Sequence, residues 1–155
     1  MSEEALPPSC ATWAAKDTVD ARTRALWAKG NDSTRWARCG DTWDVMVIAP
    51  IGLGLDALDK MGADVHLGYP VLADHISDRL YVMVPAGTGH TAQGRSMRVL
   101  SRNQQLLLPC TPHGTAAAHW ISAPRDNTPP LLQADTVALA LRQLGQRQVA
   151  EPFRV

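Results

Sequence analysis

The sequence predicts an α+β fold, in which a single mixed or antiparallel sheet is covered by helices mainly on one face. Two observations predict it. Segments rich in apolar and β-branched residues are grouped in the middle of the chain, and segments with helical spacing stand before and after them. Most of these strand-like segments follow one another without an intervening helix, whereas a parallel sheet would need a long crossover between each pair of strands.

Helical patterns are predicted in three places, of which the middle one is the clearest. Residues 50–61 carry apolar side chains at helical spacing, with Pro50 suited to the first position and Gly62 to the stop. An earlier helix is expected to be capped by Asp17 or Thr18 and to run to about Lys29. A last helix is expected to be capped by Asp135, because apolar residues recur on one face after it.

Strands are predicted where short apolar segments are bounded by turn residues. The segment 43–49 is apolar on nearly both faces, which indicates a central position in the sheet. The predicted strands are 43–49, 69–73, 79–85, 105–109 and 117–121.

The length of 155 residues suits one domain, expected over residues 11–150. Residues 1–10 are expected to form a disordered lead, because Pro7 and Pro8 oppose regular structure. The formal net charge of zero predicts no broad basic field for nucleic acid, although a local patch is compatible with it.

The cysteine content and the apolar segments predict a cytoplasmic protein. The three cysteines are scattered and form no CxxC pair, which favours a reducing compartment. The acidic first residues lead to no apolar region typical of a signal peptide. No apolar segment approaches the roughly 20 residues that a membrane span requires, so no membrane association is expected.

A glycine-rich segment after the strand 43–49 suggests a cofactor site. Gly52, Gly54 and Ala57 match the pattern GxGxxA, and Asp74 follows at the end of another strand. In dinucleotide-binding folds such glycines let a pyrophosphate approach a helix N-terminus, and the acid binds a ribose hydroxyl. Here the helical pattern already includes Ile51, so the alternative is that small residues let the helix pack closely against the sheet. On this second interpretation no cofactor is implied.

Asp74, His75 and Asp78 cluster in a short connector between two predicted strands. Carboxylate and imidazole groups could bind a metal ion there, with His66 or His113 as a more distant ligand. The favoured interpretation is structural, since polar turn residues satisfy their own backbone groups.

Two further groups of residues have a chemical and a structural interpretation. His119 could act as a general base, but no acidic residue stands at a sequence spacing that would identify it as a partner. A structural role is therefore favoured. Trp43, Trp120 and Tyr81 are interpreted as sheet core or rim in preference to a platform for stacking bases.

Four segments together resemble a known family. They carry strand, helix and Gly-Pro turn patterns in the order found in small proteins of high-GC bacteria, which are similar to the N-terminal domain of bifunctional DNA primase/polymerases. The later residues 106–109 and His119-Trp120 continue the pattern, and the resemblance covers about residues 40–122. The four segments are 41–47, 52–62, 68–74 and 79–88.

The resemblance implies the fold but not the activity. Active members carry an Asp-x-Asp pair for metal ions at the end of the strand before the helix, and a histidine on a later strand. Here the end of the matching strand reads Val47-Ile48-Ala49-Pro50 and contains no acid. The matching later strand begins Asp78-Arg79-Leu80-Tyr81 and contains no histidine. Asp44 lies too early to belong to the pair, and one acid cannot hold two metal ions.

The sequence therefore favours a non-catalytic, primase-polymerase-like binding or regulatory module that needs no cofactor. Its ligand would be a protein or a nucleic acid. One alternative is a nucleotide-binding protein or small metal-dependent enzyme that uses Gly52, Gly54 and Asp74. Another is a homodimeric interaction accessory, in which an exposed strand edge pairs with its copy.

Overall fold

The computed structural model describes residues 12–30, 33–88, 97–125 and 128–150. The predicted disordered lead of residues 1–10 lies outside the described residues. A short 3-10 helix, Ala14–Asp17, precedes three α-helices: α1 (Ala21–Lys29), α2 (Ile51–Lys60) and α3 (Ala134–Ala150). The strands are β1 (Thr34–Arg38), β2 (Trp43–Ile48), β3 (Val71–Asp74), β4 (Arg79–Pro85), β5 (Met97–Leu100), β6 (Gln105–Pro109) and β7 (His119–Ser122).

The α+β class is confirmed, and the strand pairs are antiparallel. Five strands in the order β5-β2-β4-β3-β7 form the central sheet, with β2 inside it as its apolar sequence predicts. The prediction of a single sheet needs correction, because β1 and β6 pair with each other as a separate two-stranded ribbon. Gly40, at φ +98°, turns the chain between β1 and β2, and a side chain there would collide with Arg102.

The two faces of the central sheet are covered by different kinds of structure. Alternation along β2 sends Met46 and Ile48 to one face, the helix face, where they pack against α2 and α3 in the larger core. Val45 and Val47 point to the opposite face, the ribbon face, and pack against buried leucines of β6. Helices thus cover one face, as predicted, and the ribbon covers the other.

Several predicted elements match the observed ones, and two predicted caps are wrong. β4 and β6 begin and end at the predicted residues, and β2 and α2 differ from prediction by a residue at their ends. The chain is extended at Thr18, and α1 is capped instead by Asp20, whose Oδ1 accepts from the Thr23 N–H at 2.7 Å. Asp135 lies inside the first turn of α3, which begins at Ala134.

Candidate functional site

The two glycines of the GxGxxA segment lie inside the first turns of α2, not in a loop before it. Gly52 is exposed and has open space where a side chain would begin. Gly54 is buried, and a Cβ there would lie 2.5 Å from Cδ2 of Leu80 on β4. Close packing of helix on sheet therefore explains Gly54, but it gives no reason for Gly52.

The N-terminus of α2 already receives a carboxylate oxygen from this chain. Pro50, at the N-cap position, provides no side-chain hydrogen bond. Oδ1 of Asp78 accepts from the backbone N–H of Ile51 at 3.1 Å, so a residue of the β3–β4 connector caps the helix. Asp78 adopts φ +56°, a left-handed conformation that aspartate tolerates better than most residues. Asp78 thus caps the N-terminus of α2, which is where the pyrophosphate of a dinucleotide would bind.

Asp74 also bonds to backbone within its own connector. Its Oδ1 accepts from the N–H groups of Ile76 and Ser77, at 2.9 and 3.0 Å. This is the hydrogen-bonded turn that aspartate favours after a strand. The assignment of Gly52, Gly54 and Asp74 to a cofactor stays a prediction, and the described contacts of Asp74 and Asp78 are those of turn and cap residues.

His75 does not meet Asp74 and Asp78 in a shared site, but forms a pair with His119 of β7. Nε2 of His75 lies 3.1 Å from Nδ1 of His119, so one ring donates and the other accepts. Trp27 of α1 packs on both rings, with centroid distances of 5.5 and 5.2 Å. Its indole N–H donates to the carbonyl of His113 at 2.9 Å.

This aromatic cluster attaches α1 to the edge of the central sheet. α1 has no buried residue of its own, so its half-buried Trp27 provides a main contact with the rest of the molecule. Asp20, the cap of α1, is also close enough to His119 to interact with it electrostatically. Hydrogen bonds from Thr23 are the main cause of the lowered pKa of Asp20, with smaller contributions that include His119.

The predicted third ligands are not brought to the Asp74-His75-Asp78 connector as a metal-binding group. Within the described ranges, no group of three or more His, Cys, Asp or Glu side chains is placed to hold a metal ion. His66 is exposed, and its carbonyl accepts from Arg125. The described contacts of the histidine pair join α1, the β3–β4 connector and β7.

Asp44, the acid nearest to the missing metal pair, is buried in a structural position. It is 1% exposed, and its carboxylate accepts from the Gly87 N–H at 3.0 Å and from the Ser101 hydroxyl at 2.9 Å. Burial, with a smaller effect of the Asp44 charge, raises the pKa of the Cys39 thiol to about 11. The carboxylate thus joins β2 to the residues that follow β4 and β5.

The ribbon carries the feature that the sequence interpretation missed. Trp36 stands on the outer face of β1 and is 64% exposed, the largest side chain among the exposed apolar residues. It lines a cavity of about 720 Å³ together with Arg38 and Arg102. It also lines a smaller cavity of about 250 Å³ together with Tyr81 and Arg98. We call Trp36, Arg38, Arg98 and Arg102 the Trp36 surface.

The alternation of β1 explains how Trp36 becomes exposed. Ala37 packs on the inner apolar cluster, so Trp36 and Arg38 turn outward. In the facing strand, Trp36 is opposite Leu107 and Arg38 is opposite Gln105. The signal that could have found this surface is the segment Arg35-Trp36-Ala37-Arg38, in which an aromatic ring stands between cations.

The acidic residues near the Trp36 surface reduce its positive charge without removing it. Asp41 lines the larger cavity together with two arginines, and Asp74 lines the smaller one together with Arg98. The pKa of Tyr81 is raised, mainly by burial and next by the Asp74 charge. The surface combines an accessible indole ring with three guanidinium groups, and the half-buried phenol of Tyr81 lies beside it in the smaller cavity.

Comparison with known proteins finds no family model that matches the chain, and no curated protein or solved structure that is similar to it. In the described part of the chain, no helix has both the length and the apolar character needed to cross a membrane.

Proposed function

We propose that this chain is a non-catalytic, primase-polymerase-like module that binds single-stranded nucleic acid through the Trp36 surface. The observation that carries the proposal is the 64% exposed indole of Trp36, which lines two cavities that each contain arginine. Exposed aromatic rings stack on the faces of unpaired bases, and neighbouring cations neutralise the phosphates.

A single strand suits this surface better than a duplex does. Stacking requires an unpaired base, and the side chains beside Trp36 are arginines, whose planar guanidinium groups both stack and bind phosphate oxygens. No catalytic step is proposed, because the strand end that would carry the paired carboxylates reads Val47-Ile48-Ala49. The one acid of that strand, Asp44, is already bonded to Gly87 and Ser101.

The zero net charge implies weak binding, and contacts between arginines and phosphates imply that it weakens further as salt is added. If Arg38, Arg98 and Arg102 each neutralise one phosphate, the logarithm of the binding constant should fall against the logarithm of salt concentration with a slope of about −2. Affinity in the range of tens of micromolar at low salt is expected, because one stacked base contributes only about 1–3 kcal/mol.

The test is a fluorescence anisotropy titration with a labelled oligothymidine and with a duplex of equal length. We expect the single strand to bind more tightly, and Trp36→Ala to weaken its binding at least about fivefold. Leu139→Ala on α3 is the matched control, since it also removes an exposed apolar side chain, 46% exposed, from the helix side of the molecule. Arg38→Gln should weaken binding and flatten the salt slope, whereas Arg142→Gln, at an exposed site on α3, should leave the slope unchanged.

Two results would overturn the proposal. One is the absence of any anisotropy change at tens of micromolar protein in low salt. The other is equal binding by the parent chain and by Trp36→Ala. The first result would leave a protein partner, including a second copy of the chain, as the ligand of the module, whereas the second would place nucleic-acid binding away from Trp36. Pairing through β5 or β7, the outer strands of the central sheet, would then be tested by light scattering of the size-fractionated protein.

A further inference from the structure

A separate cavity of about 470 Å³ lies between the inner face of the ribbon and the ribbon face of the central sheet. We call it the inner cleft. Its walls are mostly apolar and come from both layers: Trp43 and Met83 from the sheet, Ala37 and Leu108 from the ribbon. Its volume falls within the roughly 300–1,000 Å³ of small-molecule sites.

The small side chain of Ala37 leaves this space open. Ala37 and Arg35 share the inner face of β1, because side chains alternate along a strand. Their partners on β6, Leu106 and Leu108, are buried and hold the ribbon against the sheet. Ala37 is too short to fill the gap beside them, so the cleft remains between the two layers.

Arg35 is the unusual member of the inner face. It lies opposite the buried Leu108 and lines the cleft, yet it is itself exposed, so we place it at the mouth of the cleft. None of the described residues that line the cleft is acidic. A guanidinium group at the mouth of an apolar cavity keeps its hydration while it attracts an anion. Arg35 therefore favours a negatively charged group on the ligand at this position.

We propose that the inner cleft binds a small amphiphilic anion, with a flat aromatic body inside and one carboxylate at Arg35. Trp43 and Trp120 are half-buried and line the cleft, so aromatic rings are available to the body of the ligand. A carboxylate matches the two parallel N–H groups that a guanidinium presents. The site goes beyond the proposed nucleic-acid binding and uses none of the residues of the Trp36 surface.

The experiment is a calorimetric titration of the full chain with 2-naphthoate and, as a neutral analogue, with 2-naphthol. The parent chain is expected to bind one naphthoate saturably and to prefer it to naphthol. Arg35→Gln should weaken naphthoate binding about tenfold and leave naphthol binding unchanged. Ala37→Leu should weaken both at least tenfold, because it fills the cleft. Trp36→Ala, which disrupts the proposed nucleic-acid surface, should leave both unchanged.

The proposal is overturned if the parent chain binds no naphthoate saturably up to millimolar concentration. It is also overturned if Arg35→Gln affects naphthoate and naphthol alike. Arg35 is exposed, so this variant keeps the test decisive even where Ala37→Leu fails to fold, which circular dichroism would reveal. If the parent chain binds the oligothymidine but no naphthoate, this site alone is rejected and the proposed nucleic-acid binding stands.

Discussion

The helix face and the ribbon face of the central sheet differ in how completely they are filled. On the helix face, α2 approaches so closely that a methyl group at Gly54 would meet Leu80. On the ribbon face, a cavity of about 470 Å³ lies between the sheet and the ribbon, and another of about 250 Å³ is lined by Val47 and Tyr81 of the sheet and by the outward-facing Trp36. Both faces belong to the same strands, so the difference comes from what covers them.

The helix face provides most of the stability of the molecule, whereas the ribbon face is suited to binding. Two helices present broad apolar faces, whereas the ribbon presents only alternate residues of two short strands. A narrow cover leaves polar and aromatic side chains exposed around it. We therefore expect substitutions on the helix face to change stability and those around the ribbon to change binding.

The largest effect should follow truncation in the helix-face core. Leu58 of α2 is 0% exposed, so Leu58→Ala should lower the free energy of unfolding by about 2–5 kcal/mol. Leu139→Ala, on the exposed side of α3, should change it by less than about 0.5 kcal/mol. Urea unfolding followed by circular dichroism measures both. A loss below about 1 kcal/mol at Leu58 would contradict a tightly filled face.

The next largest effect is expected at the two glycines of α2, where substitution by alanine should change the stability in opposite directions. Gly54→Ala should destabilise the fold by about 1–3 kcal/mol, because the wholly buried Leu80 must move. Gly52→Ala should stabilise it by about 0.5–1 kcal/mol, since the added methyl meets nothing within 4 Å. Thermal unfolding of the two variants provides the comparison. A loss of stability at Gly52 would point to a contact that the helix face does not show.

Removal of the cap at α2 should have a smaller effect. Asp78→Ala deletes the carboxylate that accepts from Ile51, and a lost helix cap costs about 0.5–2 kcal/mol. Asp56→Ala is the matched control, because it removes an exposed aspartate from the same helix. Chemical unfolding of both variants decides the role of Asp78. Equal stabilities of the two variants would mean that the Asp78 carboxylate does not stabilise α2 as a cap. A ligand-binding role for Asp78 would then become the better explanation.

The smallest effect is expected at Cys39, which should resist alkylation. Its pKa of about 11 means that the thiol keeps its proton at pH 8, and it is 3% exposed. Cys110 is exposed and should be modified under the same conditions. Peptide mass mapping after brief iodoacetamide treatment distinguishes the two. Rapid modification of Cys39 would show that the ribbon opens readily from the sheet.

The helix face was the more predictable half of the fold. Residues 79–85 form a strand of the central sheet as predicted, and α2 follows its apolar spacing to within a residue. These elements carry a periodic pattern that local sequence makes visible. The separate ribbon was not predicted, because β1 contains only Trp36 and Ala37 as apolar residues and pairs with β6, which is distant in sequence.

The candidate sites were less predictable than the fold. The sequence showed Asp74 and Asp78 as neighbours, but their tasks depend on backbone N–H groups whose positions only the fold determines. The pairing of His75 with His119 joins residues of different elements in the same way. Trp36 was missed because its exposure follows from the inward direction of Ala37, which requires knowledge of the ribbon.

The most direct test of the division between the two faces is a nitrogen–proton correlation spectrum of the labelled protein, titrated with an oligothymidine at low salt. We predict that amide shifts change most in β1 and in the turn between β5 and β6, around Trp36 and Arg102. The amides of α2 and α3 should change least. Shifts concentrated at the N-terminus of α2, near Ile51 and Gly52, would contradict the assignment of binding to the ribbon side.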